Sequence, residues 1–188
     1  MSKLHIVVTS TRPGRVGPSV GAWIDAFARR HGKFQVTLVD LAEVNLPFLD
    51  EPHHPRLGKY QHEHTKRWGH IVAAADAYCF VTPEYNYGAS PTLLNALNFV
   101  FREWNYKAAS FVSYGGQSGG IRSVQMVKPI LTTLKMMPIP EGVAIPFVGQ
   151  QRDDAGVFTA SEAQEKAAAT MLDELWKWTE ALKPLRQG

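Results

Sequence analysis

A short polar segment between residues 9 and 19 combines the groups that proteins use to bind an anion. It follows an apolar run and contains Ser10, Thr11, Arg12, Arg15, Pro18 and Ser19. Amide N–H groups at a helix N-terminus attract anions, and arginine adds paired hydrogen bonds. The segment has neither the Gly-Lys-Ser/Thr of a Walker loop nor a Gly-x-Gly-x-x-Gly pattern. It predicts a phosphate-binding loop, with an ordinary loop carrying two solvated arginines as the alternative.

Two further segments suit a flat heteroaromatic ligand. Tyr85, Asn86 and Tyr87 supply two aromatic rings and an amide, which can stack on a ring system and hydrogen-bond to its edge. Residues 113–120 are rich in glycine, so their backbone can approach a ligand and present N–H groups free of side-chain bulk. The alternatives are a tyrosine-rich turn or interface patch for the first segment and a flexible turn for the second.

Three other features suggest chemistry that the rest of the sequence does not support. Residues 116–120 match the Gly-x-Ser-x-Gly nucleophile elbow, in which the catalytic histidine follows the serine, but all seven histidines precede Ser118. The histidines between 53 and 64 lack His-Glu-x-x-His spacing, so no metal site is predicted. Cys79 lies in an apolar run, and we expect a core residue instead of a redox thiol.

The elements that must position these segments alternate between strand and helix. Apolar runs rich in β-branched residues predict strands at 4–8, 34–41, 77–82, 108–114 and 142–148. Apolar residues at spacings of three and four predict helices that start near Pro18, cover 60–74, open at Ser90–Pro91, run from Val124 to Leu134 and follow Ser161. This alternation predicts a doubly wound parallel α/β sheet.

Such a sheet binds its ligands outside the carboxyl ends of its strands. The three segments follow the first, third and fourth predicted strands, so we expect them to lie together. Two local details accompany this prediction: Pro129 inside the fourth helix predicts a kink or an early end, and Ser161 with Gln164 predicts a capping box.

Length and composition limit the remaining possibilities. The 188 residues, of which 45% are hydrophobic and 20% charged, predict a single globular domain over 1–188. One cysteine excludes an internal disulfide framework and a zinc site built on paired thiolates. The formal net charge is +3 without a long basic run, which argues against a nucleic-acid partner. No stretch approaches the ~18 apolar residues of a membrane span, so we expect no membrane partner and a cytoplasmic location.

The loop residues resemble the NADPH-dependent FMN reductase family, which includes quinone, azo-dye and chromate reductases. The resemblance covers about residues 3–150 and is carried by residues 10–15, Pro83–Asn86, Ser90–Pro91, Leu94–Ala96 and Ser113–Gly116. It implies a flavodoxin-like three-layer sandwich, a five-stranded parallel sheet of order 2-1-3-4-5 with helices on both faces. It also implies non-covalently bound FMN, NADPH or NADH as hydride donor, and a homodimer or a dimer of dimers.

The resemblance further implies which residues hold FMN. Those of the phosphate loop would be Ser10, Arg12, Arg15, Val16, Gly17, Pro18 and Ser19. Those at the isoalloxazine ring would be Pro83, Glu84, Tyr85, Asn86 and Tyr87, and those at its pyrimidine edge Ser113, Tyr114, Gly115 and Gly116. The N–H groups of Gly115 and Gly116 would stabilise negative charge at that edge. No catalytic acid or base is expected, because the cofactor carries the hydride chemistry.

The implied activity is hydride transfer from NAD(P)H to bound FMN and then to a quinone, a flavin or a similar small acceptor. One alternative is a flavodoxin-like electron carrier without nicotinamide activity, although carriers of this fold are usually acidic. The other is a cofactor-free binding or regulatory protein of the same fold, against which the three intact loops argue. The hydrophobic helix expected over 93–104, with Phe99, Phe101 and Trp104, predicts partial burial in a partner subunit.

Overall fold

The computed structural model describes residues 1–186. Five strands in this range form one parallel sheet. The strands are β1 (Ser2–Val8), β2 (Phe34–Asp40), β3 (Ala77–Pro83), β4 (Ala108–Tyr114) and β5 (Met137–Ile145). They lie in the order β2-β1-β3-β4-β5, with every neighbouring pair parallel. The strand order implied by the family resemblance is therefore confirmed.

Helices cover both faces of this sheet. They are α1 (Gly17–His31), α2 (Leu41–Val44), α3 (Glu63–Ala74), α4 (Pro91–Phe99), α5 (Ile121–Thr133) and α6 (Glu162–Leu182). Because side chains alternate along a strand, Leu4 and Ile6 of β1 pack towards α1 and α6, whereas Val7 packs towards α3, α4 and α5. The three-layer sandwich is thus confirmed. Within residues 1–186 no helix has the length and apolar character needed to span a bilayer.

Helix α1 shows how the sequence builds the layer next to the first loop. Val20, Ile24 and Ala28 recur at spacings of four and are fully buried against the sheet. Pro18 lies in the first turn, where its missing N–H costs nothing. Gly32 ends the helix in the left-handed conformation, at φ 81°. The capping box of α6, formed by Ser161 and Gln164, is also confirmed.

Several element boundaries differ from those predicted. Strand β5 spans Met137–Ile145 instead of 142–148, because it is an edge strand and tolerates Pro138 and Pro140 there. Helix α3 starts at Glu63 rather than 60. Helix α4 ends at Phe99, and a separate 3₁₀ turn follows over Arg102–Trp104.

The apolar excess at 93–104 is largely explained within the chain. Phe99 and Trp104 are buried in the core of this protomer, where Trp104 packs against Trp68 and Tyr78. These two side chains therefore do not require a partner subunit, which corrects the reason given for that prediction.

Pro129 does not end α5, which continues to Thr133. The missing N–H leaves the carbonyl of residue 125 without its helical partner, but Gln125 and Pro129 are both exposed. Water can therefore satisfy that carbonyl, and the prediction of an early end is wrong.

Candidate functional site

The loops that follow β1, β3 and β4 are joined directly by hydrogen bonds at one edge of the sheet. The N–H of Thr9 donates to the carbonyl of Val81 at 3.0 Å, and the hydroxyl of Ser90 donates to the carbonyl of Thr9 at 2.9 Å. The phenol of Tyr114 donates to Oγ of Ser10 at 3.1 Å. The structure therefore brings the three predicted segments together.

The first loop packs closely against the start of α1. Ser10 is fully buried, and a Cβ atom placed on Gly17 would lie only 2.3 Å from its Oγ and 2.8 Å from the hydroxyl of Tyr114. Only glycine allows this approach. Val16 is the N-cap residue and makes no side-chain capping bond, so no cap side chain occupies the first-turn N–H groups of α1. The Oγ of Ser19 donates to the carbonyl of Val16 at 3.0 Å.

The two arginines of this loop have different environments. Arg15 forms a two-point ion pair with Asp40, with both N–O distances 2.8 Å, and its Nη1 also donates to the carbonyl of Ser10 at 2.7 Å. The hydrogen bonds from Arg15 to Asp40 raise the pKa of Arg15. Arg12 is exposed and has no ion-pair partner within residues 1–186. Arg15 therefore stabilises the loop through its contacts with Asp40 and Ser10, while the positive charge of Arg12 is not balanced by a carboxylate within residues 1–186.

The second loop is a tight turn that projects a tyrosine. Tyr85 and Gly88 form a two-bond bridge, with N–O distances of 3.1 and 2.8 Å. Asn86 and Tyr87 occupy the left-handed region at φ 49° and 65°, as the two central residues of a type I′ turn do. The Tyr87 side chain is 73% exposed, and the guanidinium of Arg122 lies 4.2 Å from its ring centroid.

Glu84 connects the second and third loops. Its carboxylate accepts hydrogen bonds from Oγ of Ser118 at 2.8 Å, from Nη1 of Arg122 at 2.9 Å and from the N–H of Arg122 at 3.1 Å. Burial opposes ionisation of Glu84, but the bonds from Arg122 and Ser118 outweigh burial and hold its pKa below the usual value. Glu84 therefore directs its carboxylate into the protein, and its neighbour Pro83 is buried as the last residue of β3.

The third loop offers a free backbone donor. The N–H of Gly115 donates to the carbonyl of Ile145 at 3.3 Å, whereas that of Gly116 has no acceptor among the backbone groups of residues 1–186. A Cβ atom on Gly116 would meet nothing within 4 Å. Of the two N–H groups expected to face a ligand, Gly116 is the one that the fold leaves available.

Ser113 and Tyr114 shape this loop from the end of β4. Oγ of Ser113 donates to the carbonyl of Gly119 at 2.8 Å, which closes the glycine-rich turn. Burial raises the pKa of Tyr114 to about 12, so its phenol stays protonated and acts as the donor to Ser10. Tyr114 thus links the third loop to the first.

Three partners of these loops were missed from the sequence. Asp40, Ser118 and Arg122 fix the predicted site residues Arg15 and Glu84. Of the three, only Asp40 could have been identified from the sequence, because it is an acidic residue near the end of a predicted strand. Pairing across the sheet could not be read from spacing, because it depends on which strands are neighbours.

Cys79 and the histidines between 53 and 64 take part in packing and in local contacts. Burial raises the pKa of Cys79 to about 12, and the residue is confirmed in the core. His64 Nε2 lies 2.9 Å from Oδ1 of Asp50, and the ring of His62 stacks on that of His64. Within residues 1–186 no three metal-ligating side chains converge.

The site fits a phosphate-bearing ring cofactor. It combines an exposed, unpaired guanidinium at Arg12, a helix start without a side-chain cap, an exposed tyrosine and an open backbone donor at Gly116. These features lie at the carboxyl ends of β1, β3 and β4, where a doubly wound sheet binds a mononucleotide. Fold and site together define a flavodoxin-like protein built to hold such a cofactor.

Comparison with known proteins agrees with this class. The model of the family described as NADPH-dependent FMN reductase matches residues 2–150. An NAD(P)H-dependent FMN reductase of Schizosaccharomyces pombe is 35% identical over 189 residues, covering 97% of this chain and 94% of the relative. An NAD(P)H:quinone oxidoreductase of Solanum tuberosum is 35% identical over 107 residues, covering 54% of this chain and 55% of the relative.

A solved structure shows the same fold. The flavoenzyme NAD(P)H:(acceptor) oxidoreductase FerB of Paracoccus denitrificans superposes with a TM-score of 0.74 at 21% identity, covering 96% of this chain and 98% of that one. The chain belongs to the NADPH-dependent FMN reductase family. It is an oxidoreductase whose cofactors are FMN and a nicotinamide dinucleotide.

Proposed function

We propose that this chain binds FMN at the joined loops after β1, β3 and β4, accepts hydride equivalents from NADPH or NADH, and passes them to a quinone, a flavin or a similar small acceptor. The observation that carries the proposal is that hydrogen bonds join the three loops, while within residues 1–186 Arg12 has no ion-pair partner and the N–H of Gly116 has no backbone acceptor. Those two groups match the two ends of a flavin mononucleotide.

The phosphate end of the cofactor belongs at the first loop. Arg12 would supply the charge-assisted hydrogen bonds, and Gly17 would supply a backbone N–H at the start of α1, since Pro18 has none and that of Ser19 donates to the carbonyl of Val16. Arg15 would act through the backbone, because its ion pair with Asp40 and its bond to the Ser10 carbonyl fix the loop. Ser10 and Gly17 allow the close packing that this shape requires.

The ring end belongs between the second and third loops. Bound FMN supplies the hydride chemistry, accepting from the nicotinamide and donating to the acceptor. The Tyr85–Tyr87 turn would border the ring, and the N–H of Gly116 would donate to its pyrimidine edge. Glu84 holds the two loops in register through Ser118 and Arg122.

The surroundings of the ring end favour a flat, apolar acceptor such as a quinone. Tyr87, Met126 and Phe147 are exposed next to the second and third loops. The sulfur of Met126 lies 3.4 Å from the N of Ala89, and the N–H of Phe147 donates to the carbonyl of Gly116 at 3.0 Å. An apolar rim of this kind favours an aromatic acceptor over a metal oxyanion.

The chain is further proposed to act as a homodimer in the cytoplasm. The segment after α2 exposes Phe48, Leu49 and Leu57, a larger apolar set than a solvated loop needs. A buried, single cysteine and a nicotinamide donor are typical of a reducing compartment. Light scattering after size exclusion tests the dimer, and a mass of 20.9 kDa would contradict it.

The deciding experiment is a visible spectrum of the protein incubated with FMN, desalted, and mixed anaerobically with NADPH. Retained flavin absorbance that bleaches on mixing is the expected result. Retained flavin that stays oxidised with both NADPH and NADH would identify an electron carrier instead. Loss of all flavin from protein shown to be folded by circular dichroism would overturn the proposal.

A further inference from the structure

A second cavity lies at the opposite end of the sheet from the three loops. Its volume is about 560 Å³, within the range of small-molecule sites. It is bordered by the residues that lead into β4 and β5, by the end of α3 and by the 3₁₀ turn after α6. None of the predicted site residues lines it, so it is separate from the cofactor site.

The lining of this cavity is strongly basic. Its cationic side chains are Arg56, Arg102, Lys107, Lys135 and Arg186. Two acidic side chains lie at the same place, and both are already engaged: Glu103 accepts a hydrogen bond from Tyr60 at 2.9 Å, and Asp76 pairs with Arg186 at 2.9 Å. With these two acids counted, the surroundings of the cavity carry a local excess of three positive charges.

Lys107 is the most unusual of these cations. It is only 5% exposed and has no carboxylate within ion-pair distance among residues 1–186. Its ammonium donates to the carbonyls of Val72 at 2.8 Å and Ala73 at 3.2 Å, at the end of α3. An ammonium has three N–H donors, and the two hydrogen bonds to the end of α3 use two of them. Burial, followed by the charge of Arg186, lowers the pKa of Lys107 to about 8, because a buried cation without an anion is costly.

The backbone at the rim is held in an uncommon conformation. Tyr106 and Lys135 occupy the left-handed region at φ 58° and 56°, and the N–H of Tyr106 donates to the carbonyl of Lys135 at 2.9 Å. Nζ of Lys135 also donates to the hydroxyl of Tyr106 at 3.3 Å. Residues other than glycine are strained in the left-handed conformation and keep it only where the surrounding structure imposes it. Here they place a lysine and an aromatic ring at the mouth of the cavity.

We propose that this cavity binds a small phosphorylated metabolite, with the phosphate between Lys107, Lys135 and Arg102. A phosphate supplies the anion that buried Lys107 lacks and accepts several hydrogen bonds at once. The volume exceeds that of a phosphate alone, and the partly exposed rings of Phe101 and Tyr106 offer an apolar surface for the rest of the ligand. The site goes beyond the proposed function and does not depend on it.

Calorimetric titration with inorganic pyrophosphate tests the proposal on protein saturated with FMN at about 0.15 M ionic strength, where long-range charge effects are screened. The site variant combines Arg102→Gln with Lys135→Asn, both exposed positions, and asparagine tolerates the left-handed conformation. Arg30→Gln combined with Lys166→Gln, two exposed cations that do not line the cavity, is the matched control for the loss of two positive charges. We expect the site variant to bind about 10-fold more weakly or worse and the control to bind as the unmodified protein does.

Either of two results overturns the proposal: no heat of binding to the unmodified protein, or equal affinity in the site variant. An equal loss of binding in the control variant would show a non-specific effect of net charge, and would also overturn it. These outcomes are independent of flavin reduction.

A second measurement addresses Lys107 without replacing it, since a variant there endangers folding. In protein labelled with ¹³C at lysine Cε, we expect the resonance of Lys107 to titrate below those of the other lysines, because burial lowers its pKa. We expect saturating pyrophosphate to raise that pKa, because a nearby anion favours the charged form. A titration unchanged by pyrophosphate would exclude Lys107 from the site.

Discussion

The hydroxyl of Tyr114, at the end of β4, donates a hydrogen bond to Oγ of Ser10, at the end of β1, over 3.1 Å. Strand β3 lies between those two strands, so the bond spans the switch region of the sheet. Both residues are buried, and Gly17 packs against both hydroxyl groups. The shape of the first loop is therefore set in part by Tyr114, at the start of the third loop.

Tyr114→Phe is expected to loosen the first loop without removing any group that would touch a ligand. The buried Ser10 hydroxyl loses a donor, which costs about 1 kcal/mol of unfolding free energy. FMN affinity should fall severalfold. Urea unfolding and flavin fluorescence titration measure the two effects. Tyr60→Phe, whose hydroxyl bonds to Glu103 away from the loops, serves as the control. Equal FMN affinity in Tyr114→Phe and the unmodified protein would refute the coupling.

Arg12 and Arg15 are expected to differ when each is replaced by glutamine. Arg12→Gln should weaken FMN about 10- to 100-fold, because it removes a charge-assisted contact to phosphate. Riboflavin, which lacks the phosphate, should bind Arg12→Gln and the unmodified protein equally. Arg15→Gln should instead lower stability, since it leaves the half-buried Asp40 carboxylate unpaired. Paired titrations with FMN and riboflavin decide this. An equal loss for both flavins in Arg12→Gln would contradict a phosphate contact.

Glu84 is expected to make the stability depend on acid pH. Its folded-state pKa is below the usual 4.5, so its ionised form contributes stability above that value, and the contribution disappears as the pH falls through the folded pKa. Glu84→Gln should lower the unfolding free energy by about 2 kcal/mol at pH 7. It should also flatten the decline in stability as the pH falls below the usual carboxyl value of 4.5.

Urea unfolding at several pH values measures this dependence. Glu63→Gln is the control, because Glu63 pairs with Lys66 on an exposed helix surface and should change stability little. Parallel stability curves for Glu84→Gln and the unmodified protein would show that the Glu84 cluster contributes nothing.

Cys79 is expected to be inert in the folded protein. Burial raises its pKa to about 12, so at pH 8 almost no thiolate is present and no reagent reaches it. A chromogenic disulfide reagent should react with no thiol in native protein and with one per chain in urea. Activity should survive the reagent unchanged. Rapid labelling of native protein would place Cys79 outside the core.

Much of the fold followed from periodicity, because buried strands and amphipathic helices leave strong patterns. The three loops could be placed together before their contacts were known, since parallel strands end at one edge. The pairing of Arg15 with Asp40, 25 residues away, depends on β1 and β2 being neighbours. The pairing of Glu84 with Arg122 depends on where α5 starts after β4. The start of β5 was hidden by Pro138 and Pro140, which are compatible with a strand only at an edge.

Alanine substitutions at Gly116 and Gly120 are expected to separate an effect on FMN affinity from an effect on stability. Gly120 lies at φ 85°, and a Cβ atom there would be 2.7 Å from the N of Tyr114. Gly120→Ala should therefore destabilise the fold by about 2 kcal/mol or more. A methyl group on Gly116 meets no protein atom within 4 Å, so Gly116→Ala should keep the stability of the unmodified protein. It should still weaken FMN about 10-fold, because the methyl group occupies the surface that the ring would approach. Urea unfolding with flavin titration distinguishes the two variants, and a Gly116→Ala protein that binds FMN normally would remove the third loop from the ring site.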